Sequence, residues 1–264
     1  MRRALIAVGL FAVVLTACET SPLGRRQLQF FPDDQVAEMG VASYQQLKEQ
    51  QPVDDNPQIN SYVSCVALAI TEQLDPSDQQ DWEVTVFEDE SANAFALPGG
   101  KIGVHSGLLR VAETPSQLAT VIGHEVAHVL AEHSNERLST AYATNAGLQL
   151  IQVLAGERMG QQQEIMALLG LGAQVGIILP FSRTQESEAD VLGLELMARA
   201  GFDPRESVTL WQNMGAAAGA GAPPEFLSTH PSHGTRIENL QAQIPKAMRY
   251  YEQAVAAGRR PKCQ

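Results

Sequence analysis

The stretch VIGHEVAHVLAEHS, residues 121–134, constrains this chain more than any other. It holds three of the six histidines, His124, His128 and His133, and Glu125 directly follows the first. Val121, Ile122, Val126, Val129 and Leu130 recur at the spacing of a packed helix. Four helical residues turn through about 400°, so His124 and His128 project from one face, a turn apart. That is the spacing at which two imidazoles bind one tetrahedral Zn2+. Glu125 then reaches the metal's open position, as a base toward bound water and later as an acid toward a leaving amine. The expectation is one Zn2+ per chain, with the apolar residues holding the helix rigid.

A catalytic zinc needs a third protein ligand. The extended motif with glycine at 131 and histidine at 134 is absent, since the chain has Ala131 and Ser134. His133 comes one place early, and on a continuous helix it points away from His124 and His128, so it is expected at the surface. Residues 181–190, FSRTQESEAD, offer carboxylates. Glu186 and Asp190 share a helical face, while Glu188 lies on the opposite side. One of the pair could bind metal while the other supports a ligand histidine. The same spacing also serves a solvated acidic face.

The N-terminus reads as a leader. Arg2 and Arg3 precede an almost purely apolar run at residues 4–14, too short to span a membrane. Residues 1–17 form the expected signal peptide, and LTAC at residues 15–18 resembles a bacterial lipobox, making Cys18 the lipidated residue. Residues 18–32 are expected to be a lipidated tether, and 33–264 a single domain. Glu19, not aspartate, fits sorting to the outer membrane. Without Arg2 and Arg3 the 18 basic residues become 16 against 30 acidic, a net charge of −14. Such a surface repels nucleic acid. The other two cysteines, Cys65 and Cys263, form an even pair suited to a disulfide in an oxidising compartment, or else one buried and one loose thiol.

Along the chain the patterns predict helices at 34–50 and 57–74, a strand at 82–87, and two strands within 92–104 joined at Pro98-Gly99-Gly100. A short helix at 106–112 precedes a long one from Pro115 to about 136. Residues 138–179 read as a buried or interfacial helical hairpin, 183–200 and 203–214 as helices, 215–224 as a flexible loop, and 235–257 as a closing helix in which Pro245 is a candidate break. His105 is expected to be structural and His233 without a role. Trp82 and Trp211 read as packing residues.

Four segments, NAFALPGGKIGVHSGLL, HEVAH, SRTQESEAD and STHPSHGTRI, stand in this order. Together they resemble the CAAX-prenyl-protease-related zinc metallopeptidases of the HtpX-like superfamily, in particular the soluble periplasmic lipoprotein branch that includes BepA and LoiP. The resemblance covers roughly residues 31–244. It implies an α+β, mainly helical, zincin-like core with a small antiparallel sheet beside the H-E-x-x-H helix. It makes Glu186 the third zinc ligand and Asp190 its support. It implies a zinc metalloendopeptidase of envelope protein quality control, or an assembly factor for outer-membrane proteins with occasional proteolysis. The implied partners are unfolded or misassembled envelope proteins, the membrane through the N-terminal lipid, and outer-membrane assembly machinery. In such peptidases a sheet edge beside the metal helix binds substrate, which falls on Asn93, Ala94, Phe95 and Ala96, unless these form only a core hairpin. His230 lies near the zinc by the same resemblance. It either occupies the open metal position at rest, as a latch, or stabilises the oxyanion. The membrane helices and helical repeats of some members have no counterpart here.

Overall fold

The computed structural model describes residues 18–154, 181–219, 225–230 and 235–264. The leader 1–17, residues 155–179 of the expected hairpin, Pro231 and His233 lie outside the described residues. Among the described residues no helix is long and apolar enough to cross a membrane.

Two helices open the domain, α1 (Asp33–Gln50) and α2 (Pro57–Thr71), the second started by Asn56, whose side chain accepts from the Gln58 and Ile59 amides. Strands β3 (Glu83–Phe87), β4 (Ala94–Leu97) and β5 (Lys101–His105) form a sheet in the order β3-β5-β4. The hairpin β4–β5 is antiparallel, with Ala94 opposite Val104 and Leu97 opposite Lys101. Its turn requires left-handed backbone at Gly99 (φ 85°) and Gly100 (φ 74°). β3 joins β5 in parallel, so the small sheet is mixed where an antiparallel one was implied, and among the described residues β4 forms one edge.

Helix α3 (Pro115–Leu130) runs through the centre. Thr114 caps it and Pro115 takes the first helical position. Every residue from Gln117 to Val129 is buried, because α2, β4, α5 (Arg183–Arg199) and α6 (Glu206–Gly219) surround it. Leu118, Ile122 and Val126 are fully buried, and each such side chain contributes about 1.5–3 kcal/mol. A Ser182–Gln185 capping box fixes the start of α5. Helix α6 continues to Gly219, so part of the expected 215–224 loop is helical. The short α7 (Glu225–Thr229) leads to His230, and α8 (Arg236–Ala256) closes the chain. Pro245 does not break α8; it is exposed, so water can satisfy the carbonyl that it leaves unpaired. Cys65 on α2 and Cys263 are joined in a disulfide, Cα atoms 5.5 Å apart.

Two further expectations do not hold. The expected long helix stops at Leu130: Glu132 takes a left-handed φ of 52°, and α4 (His133–Leu154) starts afresh. And residues 18–32 are folded onto the domain. β1 (Cys18–Thr20) and β2 (Arg26–Leu28) pair antiparallel. Ser21 and Gln27 are buried, Gln27 donates to the Ala131 carbonyl at 2.6 Å, and the Phe30 amide donates to Ser139 Oγ at 2.8 Å.

Candidate metal centre

His124 and His128, a turn apart on α3, point their Nε2 atoms to one spot, 3.0 Å from each other. Glu186, in the first turn of α5, faces both: Oε2 lies 3.5 Å from His124 Nε2 and Oε1 3.4 Å from His128 Nε2. His230 completes the group, with Nδ1 2.9 Å from Glu186 Oε1 and 3.3 Å from His124 Nε2. The four candidate donor atoms all lie within 4.8 Å of one another, and all four residues are buried. Two imidazoles, a carboxylate and a further imidazole match the donor chemistry of Zn2+.

Glu125 stands beside this group. Its Oε1 lies 3.4 Å from His230 Nε2 and has no hydrogen-bond partner although buried. Burial raises its pKa, against the pull of His230 and His124 and of a backbone hydrogen bond from Ala96. That bond places edge strand β4 alongside the carboxylate. Asn93, Ala94, Phe95 and Ala96 are themselves buried, backbone included.

The surrounding residues fix the donors. Asp190 Oδ1 lies 3.0 Å from His124 Nδ1, the nitrogen turned away from the centre. Arg236 on α8 joins the two carboxylates, with Nη1 3.1 Å from Glu186 Oε2 and Nη2 2.6 Å from Asp190 Oδ1. Its guanidinium lies 3.6 Å from the Trp211 ring centroid, so Trp211 does more than fill space. Phe181 stacks on His128 and Phe226 on His230, at 3.7 and 4.3 Å between centroids. Burial opposes the charge of Glu186, but His124, His128 and His230 outweigh it and hold its pKa far below the carboxylate range. Burial also opposes protonation of His124, yet Glu186 and Asp190 raise its pKa to about 9. His128 is held well below its ordinary value, mainly by burial.

His133 is not a surface residue. It is fully buried, with Nδ1 2.8 Å from His128 Nδ1 and Nε2 3.2 Å from Glu188 Oε2. The break at Glu132 turns it inward. Glu188 does lie opposite Glu186 on α5, but that face is covered too. His105 is buried away from the centre, its Nδ1 2.7 Å from Ser91 Oγ, and Trp82 is partly buried against the core. Arg236 escaped the sequence reading, although it stands in the quoted STHPSHGTRI; a lone arginine carries no spacing that names its partner.

An H-E-x-x-H helix with a buried glutamate supplied by a second helix defines a metallopeptidase. The chain belongs to peptidase family M48, whose model matches residues 55–244. It is 40% identical over 187 residues to the mitochondrial metalloendopeptidase OMA1 of Schizosaccharomyces pombe, covering 70% of this chain and 53% of that one. To the human mitochondrial metalloendopeptidase OMA1 it is 30% identical over 266 residues, 94% of this chain and 50% of the relative. To the beta-barrel assembly-enhancing protease of Escherichia coli O157:H7 it is 30% identical over 213 residues, 78% and 43% of the two chains. The chain thus spans about half the length of the curated relatives it matches.

Proposed function

We propose that this protein is a zinc-dependent endopeptidase that cleaves unfolded or misassembled envelope proteins, held by a lipid on Cys18 at the periplasmic face of the outer membrane. The observation that carries the catalytic reading is Glu125: a buried carboxylate with an unpartnered oxygen, set between a four-donor metal group and the edge strand β4. His124, His128 and Glu186 would hold the ion, with His230 as a fourth donor at rest. Bound zinc supplies Lewis acidity and a water acidified to near neutral pH.

The rest is done by the chain's own groups. Glu125 takes the proton of the attacking water and returns it to the leaving nitrogen, and burial moves its pKa toward the working pH. Arg236 and Asp190 keep Glu186 and His124 in place. Among the described residues β4 pairs with a strand on one side only, and its other edge, beside Glu125, is where an extended substrate backbone would align. This selects unfolded chains. The placement in the envelope is supported by the leader pattern, the LTAC sequence and the E. coli relative. That relative's name also favours a second reading, in which assistance to β-barrel assembly outweighs cleavage.

Glu125→Gln should keep zinc and fold while losing hydrolysis of an unfolded β-barrel protein, because an amide accepts no proton. Substantial turnover would sink the assigned role. Alanine at His124, His128 or Glu186 should empty the site; full zinc in Glu186→Ala would move the third ligand elsewhere. Client binding by Glu125→Gln, set against cleavage by the wild type, separates protease from assembly factor. Cys18→Ser should move the protein from the membrane to the soluble periplasmic fraction.

A further inference from the structure

The two α3 imidazoles are supported differently. His124 meets the Asp190 carboxylate directly, at 3.0 Å. His128 meets another imidazole, His133, at 2.8 Å, and His133 meets Glu188 at 3.2 Å. Glu188 is in turn held by the N-terminal hairpin. Ser21 Oγ donates to its Oε1, and Arg25 Nε donates to its Oε2 at 2.9 Å. Arg25 is fixed by Glu136, with Nη2 2.7 Å from Oε2. The Ser21 and Arg25 contacts to Glu188 bridge 167 and 163 residues of sequence.

The chemistry of this chain of contacts has a direction. An ionised carboxylate only accepts, so the His133 Nε2 facing Glu188 must carry hydrogen. Neutral His133 then presents a lone pair at Nδ1. His128 Nδ1 must donate to it, which leaves the lone pair of His128 on Nε2, facing the metal group. A metal-binding imidazole needs that tautomer.

We infer that His133 and Glu188 are positioning residues that hold His128 in its metal-binding tautomer, and that Ser21 and Arg25 of the hairpin complete the set. The segment directly after Cys18 is thereby part of the support of the metal site. This rests on the reading of His128 as a metal ligand.

The test measures zinc affinity by chelator competition in the full folded chain for wild type, His128→Ala, His133→Phe, His133→Gln, Glu188→Gln and the Ser21→Ala/Arg25→Ala double variant. Thermal melts of the metal-free proteins confirm folding. Imidazole 15N spectra of the metal-free proteins report the His128 tautomer. His133→Phe fills the space without an acceptor and should weaken zinc about 10–100-fold. His133→Gln keeps an acceptor and should restore most of the affinity. Glu188→Gln and the double variant should weaken zinc by roughly tenfold and broaden the His128 tautomer population. Wild-type affinity and an unchanged tautomer in folded His133→Phe would overturn the inference. Wild-type affinity in His128→Ala would instead overturn the metal-site reading. If His133→Phe does not fold, Glu188→Gln and the double variant decide: unchanged affinity and tautomer in both overturns the inference.

Discussion

Gly123 on α3 and Gly193 on α5 meet backbone to backbone. A Cβ on Gly193 would lie 2.7 Å from the His124 amide nitrogen, and one on Gly123 would lie 2.9 Å from the Gly193 carbonyl oxygen. This close crossing lets the N-terminal half of α5 bring Glu186 and Asp190 to the histidines. Gly193→Ala must push the helices apart, a change expected to cost about 1–3 kcal/mol of stability. It should also lower zinc affinity, because Glu186 moves with α5. A melt and a chelator titration matching wild type would show that the crossing has slack.

His230→Ala tests the fourth donor. With His230 Nδ1 2.9 Å from Glu186 and its ring stacked on Phe226, the resting position is within the metal group. The variant should retain zinc and cleave an unfolded substrate at an unchanged or raised rate. A loss of roughly 10²-fold in kcat with zinc retained would assign the ring to oxyanion stabilisation instead.

Arg236→Lys keeps the charge and loses the fork that joins Glu186 to Asp190. Zinc affinity should fall by about 10–100-fold, read by chelator competition. Equal affinity would mean that charge alone suffices there.

Glu188 gives a pH signature. Burial opposes its ionisation, but His133, Ser21 and Arg25 outweigh it and lower its pKa from 4.5 to about 2. A folded-state pKa below the unfolded one stabilises the protein above the unfolded value, and that contribution disappears as pH falls through the folded value. The Tm difference between wild type and Glu188→Gln, both metal-free, should be full at pH 6 and shrink between pH 4.5 and about 2. A difference independent of pH across that window would count against an ionic role.

The parts of the site legible from residues alone are those whose geometry is local. His124, Glu125 and His128 share about one helical turn, as do Glu186 and Asp190, and periodicity sets their faces; that Glu186 is the third ligand and that His230 lies near the metal rest on the family resemblance. His133 was misplaced because that periodicity was carried across Glu132, where the backbone turns left-handed and the helix restarts. Ser21 and Arg25 looked like tether residues because their partner Glu188 is more than 160 residues away. Cys65 and Cys263 could be paired by parity of cysteines but not by position. The parallel joining of β3 to β5 has no local signal either, since it depends on how α2 and α3 pack beneath the sheet.

The bond between Cys65 and Cys263 encloses 198 residues of sequence separation and with them every member of the metal group. The stretch that carries the metal group is therefore a covalent ring. One backbone cut within it, whether by the protein itself or by another protease, opens the ring without producing two molecules. Such a nicked form would keep its full mass until the disulfide is reduced, and the metal-binding residues on either side of the cut would remain tethered to each other.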